Sequence, residues 1–135
     1  MPRTFSLAEA QALLPAIAPL IEQLQALYAS LQANSSRTEE LSESVSLKGA
    51  DDKAGLRVLS AQQLELAETF DALLAQLEGY GCILKDLRQG LVDFYAMRDG
   101  KLVFLCWKTD EKRIGYWHSI EEGFAGRQPI DRSKK

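Results

Sequence analysis

The hydrophobic period of this chain changes once, at Gly79–Gly81, and that change limits the architectures open to it. Before it, Leu13, Ile17, Leu20, Leu24, Leu27 and Leu31 recur in alternating steps of three and four, as do Leu56, Leu59, Gln63, Leu66, Phe70, Leu73 and Leu77. Such spacing lays apolar side chains along one stripe of a helix and suits helix-on-helix packing. After it, the runs 91–97, 102–107 and 114–118 are rich in β-branched and aromatic residues and alternate with a period of two, the signature of strands. Helices followed by strands in separate blocks define an α+β chain.

Local signals refine this outline. Ser6-Leu7-Ala8-Glu9 has the form of a capping box and starts the first helix. Pro15 and Pro19 fall inside that helix, where each removes an amide donor, so a kink or a restart near Pro15 is expected. From about 34 to 55 the chain turns to Ser, Gly and Asp, which reads as a polar, mobile connection between the two helices. Asp99-Gly100 is a two-residue hairpin signal. It opposes Met97 to Leu102, Tyr95 to Phe104 and Asp93 to Cys106. A four-residue turn at 109–112 would set Gly115 beside Cys106 and Tyr116 beside Leu105.

The expected fold is one domain over 1–135. A long antiparallel helical hairpin at 5–79, its first helix Pro-kinked, precedes a three- or four-stranded antiparallel β-meander at 81–119 and a C-terminal clasp at 120–131. In the expected register, Val92, Phe94, Val103, Leu105, Trp107, Ile114, Tyr116 and His118 share the face that lies on the helices. Leu91, Asp93, Tyr95, Leu102, Phe104, Cys106 and Trp117 share the other, too apolar to be left in water.

Composition excludes some functions. A net charge of -3 gives no positive field for phosphates, so no nucleic-acid partner is expected. Neither an export signal nor a membrane-spanning run is read from the sequence. Cys82 and Cys106, too far apart for a short metal-binding motif, suit reduced thiols in a cytoplasm.

The chain resembles the family of domain of unknown function 2203. The resemblance rests on Phe5-Ser6-Leu7-Ala8-Glu9-Ala10 with Leu13-Leu14-Pro15, Gly81 with Lys85-Asp86, Gly90-Leu91-Val92-Asp93-Phe94, Leu105-Cys106-Trp107, and Gly115-Tyr116-Trp117-His118 through Gly123-Phe124-Ala125-Gly126-Arg127-Gln128-Pro129. It implies no activity. The turn Thr109-Asp110-Glu111-Lys112 departs from the Gly-Glu turn that the resemblance leads one to expect, and no role is expected of it.

His118, the one histidine, is the natural first candidate for acid-base or metal chemistry. In the register above it points away from Asp93 and Cys106, so it reads as a structural histidine at a strand end. Cys106 reads as a small hydrophobe. Asp93, in an apolar strand, needs a partner. Arg127, on a turn flanked by Gly123 and Gly126, is expected to reach Asp93 first, or Asp86, and to close the tail over the second face with Phe124 as a plug.

The leading functional expectation is a small cytoplasmic interaction or scaffold module that self-associates as a homodimer. The alternative is a small-molecule or metal-binding protein, in its most concrete form a hydrolase. Its site would draw on Asp86, Asp93, Cys106, Trp117, His118 and Arg127, with Asp93, Cys106 and His118 as the metal ligands if there are any. The sequence names no cofactor.

Overall fold

The computed structural model describes residues 2–48 and 53–130, the side chains of 46–48 excepted. Helix α1 spans Leu7–Lys48 and helix α2 spans Lys53–Glu78. Ser6 caps α1 as expected: its Oγ accepts from the Glu9 amide at 3.0 Å, and Glu9 Oε1 accepts from the Ser6 amide at 2.8 Å. These bonds hold the Glu9 carboxyl below its usual range. The helix then runs unbroken through Pro15 and Pro19, so the expected restart near Pro15 does not occur. Each proline omits one bond to the preceding turn, and the apolar stripe on either side keeps the helix continuous.

The polar segment is the second departure. Residues 34–48 belong to α1 and 53–55 to α2, against the expected mobile connection at 34–55, and residues 49–52 lie outside the described residues. In this stretch Thr38 Oγ1 donates to the Asn34 carbonyl at 2.9 Å, and the buried Asn34 donates through Nδ2 to Gln62 Oε1 of α2 at 3.3 Å.

Among the described residues five antiparallel strands follow in sequential order, one or two more than expected. They are β1 (Ile83–Asp86), β2 (Leu91–Arg98), β3 (Lys101–Lys108), β4 (Tyr116–Ser119) and β5 (Gln128–Pro129). Asp99 and Gly100 both take positive φ, 51° and 76°, and the β2–β3 register is the one read from the sequence, with Asp93 opposite Cys106. The β3–β4 register is not. Cys106 pairs with Tyr116, Leu105 with Trp117 and Phe104 with His118, one residue away from the expected pairing.

The loop explains the slip. The Lys108 amide, which a four-residue turn would return to the ladder, donates to Glu111 Oε1 at 3.0 Å, and Trp107 Nε1 donates to the Glu111 carbonyl at 2.9 Å. The Ile114 amide is taken by Gln11 Oε1 of α1 at 2.9 Å, and Ile114 is fully buried. Pairing therefore begins only at Tyr116. Because strand side chains alternate, this single step moves Tyr116 and His118 to the face of Asp93, Phe104 and Cys106 and sends Trp117 to the other.

The chain forms two compact units, Met1–Glu22 with Gln76–Lys135, and Gln23–Ala75. In the first, Ala10, Leu14, Ile17 and Ile21 of α1 are buried, as are Val92, Phe94, Val103, Leu105 and Trp107 of the sheet. Phe5 meets Phe94 edge-on at 5.4 Å, and its amide donates to the Tyr95 carbonyl at 2.7 Å. By length and composition alone α1 passes for a membrane span, contrary to the sequence reading, while Ala10, Leu14, Ile17 and Ile21 of its first part are buried in this core. Gly81, at φ 96°, closes α2 against Phe5, whose ring would lie 2.7 Å from an added Cβ.

Cys82 follows that turn with its thiol donating to the Leu77 carbonyl at 3.5 Å, and burial pushes it up to about 11. A thiol raised in the folded state contributes stability that is complete below its unfolded value of 9.0 and is lost as pH rises through about 11. Wild-type protein is expected to lose denaturant resistance over that alkaline window, and Cys82→Ala to lose less of it. Equal alkaline slopes for the two would assign the loss elsewhere.

Candidate functional site

The residues that the one-step slip brings together form the only cluster of three potential metal-ligating side chains among the described residues. Asp93 on β2 and Cys106 on β3 are direct cross-strand neighbours, and His118 on β4 lies beside them. Asp93 and His118 are 2% exposed and Cys106 is fully buried. One ligand atom from each lies within 4.8 Å of the others.

The hydrogen bonds fix how protons are arranged. His118 Nδ1 sits 2.8 Å from the Ser119 carbonyl, which can only accept, so Nδ1 carries a proton. His118 Nε2 lies 3.0 Å from Asp93 Oδ2, and that contact needs one further proton, held by the ring or by the carboxyl. In either arrangement the pair is neutral as a whole. Burial raises the Asp93 carboxyl above its usual range, while His118 and then Lys85 act against the rise. Asp93 Oδ1 is buried and has no hydrogen-bond partner. Burial, with Asp93 beside it, pushes the Cys106 thiol up to about 12.

Aromatic rings and the tail surround the cluster. Phe104 packs with tilted rings against Tyr95, at 4.6 Å, and His118, at 5.3 Å, with Lys85 Nζ 4.6 Å from its centre. The Arg127 guanidinium lies over the Tyr116 ring at 3.9 Å and near Phe124 at 4.8 Å. Its Nη2 donates to both carboxylate oxygens of Glu111 at 3.0 Å. The tail returns beside β4 as β5, and its arginine is held by Glu111, not by Asp93 or Asp86. The slip gives Asp93 to His118, and Asp86 is engaged by Gln89, whose amide and side chain hold its carboxyl below the usual range. Phe124 is 37% exposed and is no plug.

Of the sequence candidates, Asp93, Cys106 and His118 meet, Arg127 borders them on the same face, and two stand apart. Asp86 sits at the β1 end in its own turn. Trp117 is on the opposite face, under the Arg98 guanidinium at 4.8 Å. Two contributors gave no signal in the sequence. Glu111 is a charged residue in a turn read as having no role, and Ser119 acts through its main-chain carbonyl.

No curated protein and no solved structure matches this chain. Residues 3–130 match DUF2203, described as an uncharacterized conserved protein, a span that includes both helices, all five strands and every residue of the cluster. The chain belongs to the DUF2203 family.

Proposed function

We propose that this protein binds one transition-metal ion through Asp93, Cys106 and His118, and that zinc suits the set best. The observation that carries the proposal is the buried convergence of a carboxylate, a thiol and an imidazole around an unpartnered Asp93 oxygen. A metal-bound histidine commonly donates its other ring N–H to a carbonyl, which is what Nδ1 does toward Ser119. The 3.0 Å between Nε2 and Oδ2 is close to the roughly 3.3 Å edge of a tetrahedral zinc site with ligands at about 2.0–2.1 Å. Cys106 closes the rest of the distance with a small movement of its side chain.

Charge supports the same reading. A divalent cation with one thiolate, one carboxylate and a neutral imidazole sums to zero, which a buried site tolerates. The Arg127–Glu111 pair beside it is also neutral. Sulfur and nitrogen donors favour zinc, copper or iron over magnesium and calcium. Three protein ligands leave the fourth position of a tetrahedral site to a water, and the burial of all three supports a structural or metal-sensing role over the hydrolase considered from sequence. A reducing cytoplasm fits the two free, buried thiols.

Cobalt(II) added to metal-free protein is expected to give one equivalent of a tetrahedral spectrum with a sulfur-to-cobalt charge-transfer band. Cys106→Ser should lose the charge-transfer band, and His118→Ala should weaken binding by about a hundredfold or more. An octahedral spectrum, or one unchanged by Cys106→Ser, would overturn the proposal.

A further inference from the structure

The unit Gln23–Ala75 contains helical residues that neither the metal site nor the sheet core uses. Among its described residues only Leu24 and Asn34 are buried, and one of those is polar. Leu27, Leu31, Leu59, Leu66, Phe70 and Leu73, the stripes that ought to form a core, are half-exposed. Two helices facing only each other leave their stripes partly in water, whereas a pair of hairpins covers them.

One side of the hairpin is built for a second helix. Ser35, Thr38, Ser60, Gln63, Leu64 and Ala67 line a groove whose surface is mostly apolar, and small residues there admit close approach. Leu64 stands on its rim at 62% exposure, the most exposed large apolar side chain among the described residues. The buried Gln63 Oε1 has no hydrogen-bond partner.

The outer seam of α2 then identifies the occupant. Arg57, Ala61, Leu64, Glu68 and Asp71 recur in steps of four and three and are all exposed. In an antiparallel pair of α2 helices crossing at Leu64, a residue n places before it faces the residue n places after it on the other copy. Arg57 and Asp71 are each seven places from Leu64, so Arg57 of either copy meets Asp71 of the other, twice over. Neither is in an ion pair among the described residues. A heterologous partner would have no reason to match a pattern that is complementary to itself.

Size agrees. At 1.5 Å per residue the α2 segment Lys53–Ala75 extends about 35 Å. With the two helices of the hairpin 8–10 Å apart, the face is about 20 Å wide and roughly 700 Å² in area. Stable interfaces use about 800 Å² per partner.

We propose that two copies of this chain pair through antiparallel α2 helices to form a four-helix bundle, with Leu64 of each copy in the groove of the other and Arg57–Asp71 pairs at both ends. This gives a surface to the homodimer expected from sequence, and it does not depend on the metal proposal.

Sedimentation equilibrium of the full chain at tens of micromolar tests it. Wild-type protein is expected at twice the 15.0 kDa chain mass. Leu64→Ala should raise the dissociation constant at least about thirtyfold. Arg57→Asp places like charges together and should weaken pairing by itself, as should Asp71→Arg. A mixture of these two variants, in which every pair is again opposite in sign, should recover the dimer, a rescue that a folding defect would not show. A monomeric wild type, a dimer indifferent to Leu64→Ala, or charge variants that do not recover on mixing would each overturn the proposal.

Discussion

Removal of the His118 imidazole is expected to destabilise the metal-free protein by about 3–5 kcal/mol, the usual cost of breaking a buried pair by deleting one partner. His118→Ala leaves Asp93 at 2% exposure with neither oxygen hydrogen-bonded to the ring, and a buried carboxylate without a counterpart is costly. The contrasting variant is Asp93→Asn. With Nδ1 protonated toward Ser119, a neutral ring presents Nε2 as an acceptor, and an asparagine amide can donate to it across the same 3.0 Å. Asp93→Asn should therefore cost only about 1 kcal/mol. Urea unfolding of both variants in the presence of a chelator checks the order. A large loss for Asp93→Asn and a small one for His118→Ala would mean that the ring protons lie the other way round.

Phe94→Ala is expected to cost a similar amount, about 3–5 kcal/mol, for a different reason. Phe94 is fully buried on the face opposite the cluster, and its ring meets Phe5 edge-on. Its deletion opens a cavity between the sheet and the start of α1, with the Phe5 amide still tied to the Tyr95 carbonyl. That tether limits collapse into the space, which places the cost toward the upper end of the range. Leu105→Ala, on the same face at 7% exposure, should cost about 2–5 kcal/mol, and Leu102→Ala, half-buried near the turn, less. Denaturant midpoints that put Leu102 above Phe94 would contradict the assignment of faces.

Features that neighbouring residues determine were legible in the sequence. The Ser6–Glu9 capping box, the positive φ of Asp99 and Gly100, and the β2–β3 register that follows from that turn are set by contacts within a few residues. Features set by distant partners were not. The β3–β4 register depends on Gln11 holding the Ile114 amide across 103 positions and on Glu111 occupying the Lys108 amide. The Gln11 bond has no local pattern, and the Glu111 bond, though only three residues long, lies in a turn of ordinary charged composition. The helical state of residues 34–48 likewise goes against their Ser-rich composition. β1 and β5, four and two residues long, are too short for a period to show.

The consequence for the site was disproportionate. Asp93 opposite Cys106 followed from the hairpin turn, but an error of one residue in β4 put His118 on the wrong face and dissolved the cluster. Arg127 does not reach Asp93, which the shifted register gives to His118. Its partner, Glu111, belongs to the same loop that shifts the register. The loop read as having no role thus anchors the tail and brings His118 to the cluster.

X-ray absorption at the zinc edge of the full-length, zinc-loaded protein examines the central claim most directly, since it reads the ligand atoms themselves. One sulfur at about 2.3 Å and nitrogen or oxygen neighbours at about 2.0–2.1 Å, with an imidazole scattering pattern, is the expected result. Loss of the sulfur in Cys106→Ser and of the imidazole in His118→Ala should accompany it. A shell of oxygen and nitrogen without sulfur, or one that survives both substitutions, would contradict a metal held by Asp93, Cys106 and His118.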